Sequence, residues 1–139
     1  MPIHYAEDAA PGTAILTLRG PLGWADYAAL CAPLTALRDR CGPLRVIEVI
    51  ESFAGFEDGL GERIETACDR GEAQALLAAI SHVAIVSDIG WFCPVLSVSL
   101  SRGFALRSFA LADLDSARAW MLSAGAPPNA GPAARMGRA

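Results

Sequence analysis

The residues best placed to do chemistry follow apolar runs of the chain. The stretch HVAIVSDIGWFCP, residues 82–94, puts a Ser-Asp pair and a cysteine directly after a run of β-forming residues. The stretch IESFAGFE, residues 50–57, puts a glutamate and a serine in the same kind of position. Ligand-binding and acid-base groups commonly lie where a buried strand ends, so each of these residues has a chemical and a structural interpretation.

Asp88 has two competing interpretations, one chemical and one structural. As an acid-base or phosphoacceptor group it would need partners, but the chain has no lysine, and only Glu51 could approach it across the strand ends. As the N-cap of a helix that begins near Gly90 or Trp91, it would accept a backbone N–H and contribute about 1 kcal/mol. We favour the capping interpretation.

Ser52, Ser87 and Cys93 are the candidate nucleophiles. Each serine follows a strand, where a hydroxyl could be phosphorylated or could bind a ligand. The chain has no G-x-S-x-G motif and no histidine in a loop after these strands, so a hydrolase triad is not supported. Cys93 precedes Pro94 near an expected helix start, where the dipole favours a thiolate, and its structural interpretation is a packed thiol.

The residue inventory excludes several classes of site. All eleven basic residues are arginine, which removes the lysine of a phosphate-binding Walker loop, of a Schiff-base enzyme and of a receiver-type phosphoacceptor site. Zinc-ligand spacing is absent, and GFEDGLG lacks the G-x-G-x-x-G order, so we expect no metal and no cofactor. We expect buried or half-buried thiols at all four cysteines: Cys31, Cys41, Cys68 and Cys93.

Length and composition predict one domain. The chain has 139 residues, 53% of them hydrophobic and 19% charged, which is typical of a globular fold. We assign the domain to residues 1–125 and expect a disordered tail at 126–139. The net charge of −4 argues against a nucleic-acid partner. No apolar run is long enough for a membrane span, so we expect a cytoplasmic protein that is not inserted in a membrane; peripheral membrane association and a homodimer stay open.

The hydrophobic pattern predicts an α/β fold with a mainly parallel sheet of four to five strands and helices on both faces. One face of a helix over 25–40 carries Tyr27, Leu30, Cys31, Leu34 and Leu37. Pro33 predicts a kink in this helix or its division into two short helices with a shared face. A further helix is expected from Leu60, which Gly71 weakens or ends before AQALLAAI continues as further helical turns. Other helices are expected over 91–101 and after Asp113. The strands are expected at 13–20, 44–50, 82–87 and 104–109, with an edge strand near 3–7.

In such a sheet, the loops that follow the parallel strands converge at one edge. Three of them, GPLGW, ESFAGFE and SDIGWF, each carry large aromatic side chains. One interpretation is that these side chains close the top of a small core. The other is a ligand-binding site with no catalytic residue, formed by Trp24, Ser52, Phe53, Phe56, Ser87, Asp88 and Trp91.

Three signatures, IESFAGFE, HVAIVSDIGW and RSFALADLDSARAWM, together resemble the SpoIIAA-like family of the STAS superfamily over roughly Ala14 to Ser123. In that family an Asp followed shortly by Trp ends a strand, as Asp88 and Trp91 do here. A final acidic loop leads to a helix with A-x-x-W, matched by Ala117 and Trp120.

The resemblance implies a compact α/β domain that binds partners or small apolar ligands and has no known catalysis. Ser52 is the nearest equivalent of the serine that is phosphorylated in the anti-sigma-factor antagonists, although Glu51-Ser52-Phe53-Ala54-Gly55 replaces the usual loop. Two hypotheses follow. The first is a non-enzymatic regulatory or protein-interaction module, and the alternative is a carrier or sensor of a small hydrophobic, lipid-like ligand at the C-terminal ends of the strands.

Overall fold

The computed structural model describes residues 3–68, 71–88 and 104–123, and in these ranges it contains one mixed sheet with the strand order β1-β2-β3-β4-β5. β1 is antiparallel to β2, and all the other neighbours are parallel. The predicted α/β architecture with a mainly parallel sheet and an N-terminal edge strand is confirmed. The strands are β1 (Ile3–Glu7), β2 (Thr13–Leu18), β3 (Leu44–Ile50), β4 (Ile80–Ser87) and β5 (Ala105–Phe109).

Helices lie between β2 and β3, between β3 and β4, and after β5. The expected helix over 91–101 and the expected tail both lie outside the described residues. Gly71 has a φ of +66° at the start of α4, so the interruption predicted at this glycine is present. The helices are α1 (Trp24–Ala28), α2 (Cys31–Cys41), α3 (Leu60–Cys68), α4 (Gly71–Ala79), a 3-10 turn (Leu111–Asp113) and α5 (Leu114–Ser123).

The segment around Pro33 forms two short helices, which is one of the two outcomes that the sequence predicted. α1 ends at Ala28, and the Leu30 N–H bonds to the Tyr27 carbonyl in a tight turn before α2 begins. Pro33 lies in the first turn of α2, where a backbone N–H has no partner within the helix. The proline therefore removes no helical hydrogen bond.

The turn between β1 and β2 requires glycine at one position. Gly12 has a φ of +72°, and a Cβ there would lie 2.8 Å from the carbonyl oxygen of Pro43. The Gly12 carbonyl accepts a hydrogen bond of 2.8 Å from the Arg45 N–H, which ties the turn to the start of β3. A side chain at this position would disturb both the hairpin and the adjacent parallel pair.

The alternation of side chains along the strands produces two apolar layers. On one face, which we call the four-helix face, Leu16, Val46 and Val83 pack beneath α1 to α4. On the opposite face, Ile47 and Ala84 pack against Ala117 and Met121 of α5, all of which are fully buried. The helices thus cover both faces, and β3 lies in the middle of the sheet as its apolar sequence predicts.

Candidate functional site

The C-terminal edge of the parallel strands is formed as predicted. Leu18 pairs with Ile50, and Ile50 pairs with Ser87, so β2, β3 and β4 end at the same level of the sheet. The loops that follow β2 and β3 are fully described, whereas the loop after β4 is described only as far as Asp88. Convergence is therefore observed directly for two of the three predicted loops.

These two loops are joined by a ladder of backbone hydrogen bonds. The Leu22 N–H donates to the Gly55 carbonyl at 3.0 Å, and the Glu57 N–H donates to the Leu22 carbonyl at 2.8 Å. Leu22 and Phe56 consequently form a short parallel bridge beyond the end of the main sheet. The carboxylate of Glu57 adds a side-chain bond of 2.8 Å from the Trp24 N–H. We call the two joined segments, residues 20–24 and 51–57, the paired loops.

The aromatic side chains of the paired loops all pack against one buried core cluster. Phe53 and Phe56 are half-buried and pack edge to face, with ring centroids 4.8 Å apart. Trp24 lies at the start of α1, and the guanidinium of Arg63 from α3 is 5.0 Å from its ring centroid. This arrangement closes the core and also presents an aromatic surface, because each ring is partly buried and partly exposed.

Ser52 is exposed on the outer side of the paired loops. Its hydroxyl oxygen accepts a hydrogen bond of 3.2 Å from the Gly20 N–H. The neighbouring Glu51 forms an exposed ion pair with Arg19. A hydroxyl held by one backbone N–H and open to solvent is accessible to a partner or a modifying enzyme, and none of the described residues places a base on it.

Asp88 has a structural partner that the sequence did not indicate. Its Oδ1 accepts a hydrogen bond of 3.0 Å from the backbone N–H of Leu111, the first residue of the 3-10 turn after β5. The predicted cap on residues 90–91 lies outside the described residues, as does Trp91 itself. Ser87 is half-buried beside Ile50. Asp88 thus links the end of β4 to the start of the C-terminal helical region.

An apolar cavity of about 170 Å³ lies under the four-helix face rather than at the strand ends. Among the described residues of the predicted set, Trp24 lines it, whereas Ser52, Phe53, Phe56, Ser87 and Asp88 do not. Its walls come from the middle of the sheet and from all four helices. The described lining residues are Leu16, Trp24, Tyr27, Ala28, Leu30, Cys31, Leu34, Val46, Glu48, Ile64, Ala67, Ala73, Leu76, Leu77, Ile80, Val83 and Phe104.

Two polar side chains enter this apolar cavity. Glu48 lies on β3 between Leu16 and Ile85, is only 8% exposed, and its Oε2 has no hydrogen-bond partner among the described residues. Burial raises the pKa of the Glu48 carboxyl from its ordinary 4.5 to about 7. The hydroxyl of Tyr27 is likewise buried without a partner there. Burial, and then the nearby negative charges of Glu48 and Asp26, raise the pKa of Tyr27.

Sequence reasoning did not include Glu48 or Tyr27 among the site residues. The signal was present, since an ionisable residue in an interior strand is rare without a partner. The prediction for the cysteines was wrong for Cys41, which is exposed at the end of α2, whereas Cys31 is half-buried as expected.

Within the ranges 3–68, 71–88 and 104–123, no group of three His, Cys, Asp or Glu side chains is placed to hold a metal ion. In the same ranges no helix has the length and apolar character needed to cross a membrane.

Comparison with known proteins identifies the family of the chain. None of the curated proteins matches the chain. A solved structure described as the anti-sigma factor antagonist SpoIIAA in its unphosphorylated form is similar, with 14% identity and a TM-score of 0.47, over 84% of this chain and 96% of that one. The family model described as SpoIIAA-like matches residues 14–122. The chain therefore belongs to the SpoIIAA-like family, as its three sequence signatures predicted.

Proposed function

We propose that the chain is a non-enzymatic regulatory module that binds a protein partner through the paired loops. The observation that carries this proposal is the ladder between residues 20–24 and 51–57, which holds an exposed serine beside two half-exposed phenylalanines. Rigid loops lose little conformational freedom on binding, and aromatic side chains contribute strongly at protein interfaces. Membership of the SpoIIAA-like family supports a regulatory role.

A non-enzymatic role is supported by what the candidate groups do in the structure. Asp88 is bonded to a backbone N–H, and Glu51 is paired with Arg19. His82 is buried, and in the strand register it lies opposite Arg45, at the other end of β3 from Ser52. Asp88 and Glu51 are therefore engaged in other contacts, and among the described residues none of these three groups is hydrogen-bonded to Ser52 as a base.

The test is to identify a partner by affinity capture and mass spectrometry, and then to measure its affinity as a purified protein. Phe53→Ala should weaken binding by about tenfold or more, as expected for an aromatic side chain at the centre of an interface. Leu122→Ala is the matched control, because Leu122 is 66% exposed on α5, on the opposite face of the sheet. Equal affinity of wild type and Phe53→Ala, or turnover that a single loop substitution abolishes, would contradict the proposal.

A second candidate function is favoured by the cavity: a carrier or sensor of a small hydrophobic ligand. The space lies beneath the middle of the strands and is almost entirely apolar, which suits a nonpolar molecule. Native mass spectrometry of protein purified from its host tests this function directly. A co-purified apolar ligand would support it, and a bare mass together with no binding of small apolar probes would contradict it.

We also propose a cytoplasmic location, supported by Cys31 and Cys41, which are both present as thiols rather than disulfides. Cell fractionation tests the location and any peripheral association with membranes. Sedimentation of the purified chain tests the homodimer.

A further inference from the structure

The size of the cavity under the four-helix face limits what it can hold. At about 170 Å³ it is close to the engineered apolar cavity of about 150 Å³ that binds benzene. A single ring with one or two substituent atoms fits this space. A long acyl chain exceeds this volume.

The polar groups of the cavity limit the chemistry of the occupant. Glu48 offers Oε2, and Tyr27 offers its hydroxyl, and neither atom has a partner among the described residues. Buried polar groups in folded proteins are almost always hydrogen-bonded, so two unpartnered groups in one cavity indicate a missing third component. That component must reach both groups from within an otherwise apolar space.

The charges of the cavity favour a cation. Among the described lining residues, α1 contributes Tyr27, α2 contributes Cys31, and β3 contributes Glu48 as titratable groups. The described lining residues of α3, α4, β2 and β4 are all apolar, and no arginine is among them. A buried carboxylate without a counter-charge is costly, and a ligand cation relieves that cost more fully than a neutral group does.

We propose that this cavity binds a small single-ring molecule carrying one protonated amine. The ring lies among Leu16, Val46 and Leu76, and the ammonium donates hydrogen bonds to Glu48 Oε2 and to the Tyr27 hydroxyl oxygen. The proposal rests on the second candidate function, that of a small-ligand carrier or sensor, and specifies its ligand class. It is independent of the paired loops.

Binding of the amine should depend on pH in a defined direction. In the empty protein burial keeps the pKa of Glu48 at about 7, so below this pH the carboxyl is mostly protonated and does not attract a cation. The amine binds the ionised form and lowers that pKa. Affinity should therefore rise as the pH is raised from about 6 to about 8, with release of a proton on binding.

The experiment compares two probes of equal size, benzylamine and benzyl alcohol, by calorimetric titration at a pH of about 8. Wild type should bind the amine about tenfold or more tightly than the alcohol, as expected for a charge-assisted hydrogen bond. Glu48→Gln should lose this preference, with the two affinities within about twofold, while still binding the alcohol, which shows that the cavity is intact. Ala73→Leu, which fills the cavity from α4, should weaken both probes.

The possible failures are distinguishable. If wild type binds both probes equally, or Glu48→Gln keeps the preference, the amine proposal is overturned while the carrier function stands. If neither probe binds wild type, the amine proposal is overturned, and the carrier function is overturned with it when native mass spectrometry also shows a bare mass. Neither result affects the proposal for the paired loops.

Discussion

The carboxylate of Asp88, at the end of β4, accepts a hydrogen bond of 3.0 Å from the backbone N–H of Leu111, at the start of the 3-10 turn. The two residues are 23 positions apart. Leu111 opens a helical segment whose first N–H groups need acceptors, and Asp88 supplies one of them from a neighbouring strand. Asp88, the first candidate for a chemical role in the sequence, therefore has a structural role.

Substitution of Asp88 should separate capping from chemistry. Asp88→Ala should lower the free energy of unfolding by about 0.5 to 2 kcal/mol, because the Leu111 N–H loses its acceptor. Asp88→Asn keeps an oxygen acceptor and should have a small effect. Urea unfolding of both variants gives the comparison. If Asp88→Asn abolished ligand or partner binding with unchanged stability, the 87–91 segment would be a chemical site.

Glu48 should make the stability of the protein fall as the pH rises. Its carboxyl has a pKa of about 7 in the folded chain against an ordinary 4.5, so the unfolded chain ionises first. Below about 4.5 both states are protonated and there is no penalty. The penalty grows between about 4.5 and 7 and then stays at about 3 kcal/mol.

The matched variant is Glu48→Gln, which has nearly the same shape and does not ionise. It should unfold with the same free energy as wild type near pH 4.5 and should be more stable by up to about 3 kcal/mol at pH 8. Urea unfolding at both pH values provides the measurement. A difference between the two proteins that did not change with pH would contradict a raised pKa at Glu48.

The ion pair between Asp8 and Arg118 should contribute more than an ordinary surface pair. The Arg118 Nη2 lies 2.7 Å from Asp8 Oδ1, and the Asp8 side chain is only 6% exposed. The hydrogen bond and charge of Asp8 raise the pKa of the Arg118 guanidinium. A double-mutant cycle with alanine should give a coupling of about 1 kcal/mol.

Arg40 and Glu7 form the control pair, at 2.8 Å but with 57% and 36% of their side chains exposed. Their coupling should be smaller, about 0.3 kcal/mol, and should disappear in high salt. Equal couplings for the two pairs would show that the burial of Asp8 adds nothing.

Substitution of Pro33 should have little effect on stability, although the residue lies within an amphipathic helix pattern. It lies in the first turn of α2, so alanine at this position gains no helical hydrogen bond that the proline had removed. Pro33→Ala should change the free energy of unfolding by less than about 1 kcal/mol, mainly through the unfolded state. A stabilisation well above this value would indicate that the proline strains the α1-α2 junction.

The sequence predicted the sheet well because its strands are short runs rich in apolar residues, and glycine and proline lie at both ends of β2 and before β3. LRVIEVI became β3 with the predicted bounds, and the edge strand at 3–7 formed as expected. The limits of the predictions lie in contacts between distant segments. The bond from Asp88 to Leu111 and the placement of Trp24 over a cavity depend on which loops meet, which local periodicity does not encode.

Glu48 illustrates a different limit. Its position in an apolar strand was visible, but a period of two assigns a residue only to a face of the sheet and not to a cavity. The cavity exists because small side chains such as Ala67 and Ala73 on α3 and α4 face it, and their combined effect emerges only when the helices pack.

The strand order β1-β2-β3-β4-β5 has a consequence for how the chain folds during synthesis. Each strand pairs with the one made immediately before it, so a nascent chain can add every new strand to an edge that has already emerged. During synthesis, no strand therefore has to wait for a pairing partner that is made much later, and the first contact with a distant segment forms when α5 appears. The pair formed by Asp8 and Arg118, separated by 110 residues, then joins α5 to the hairpin of β1 and β2.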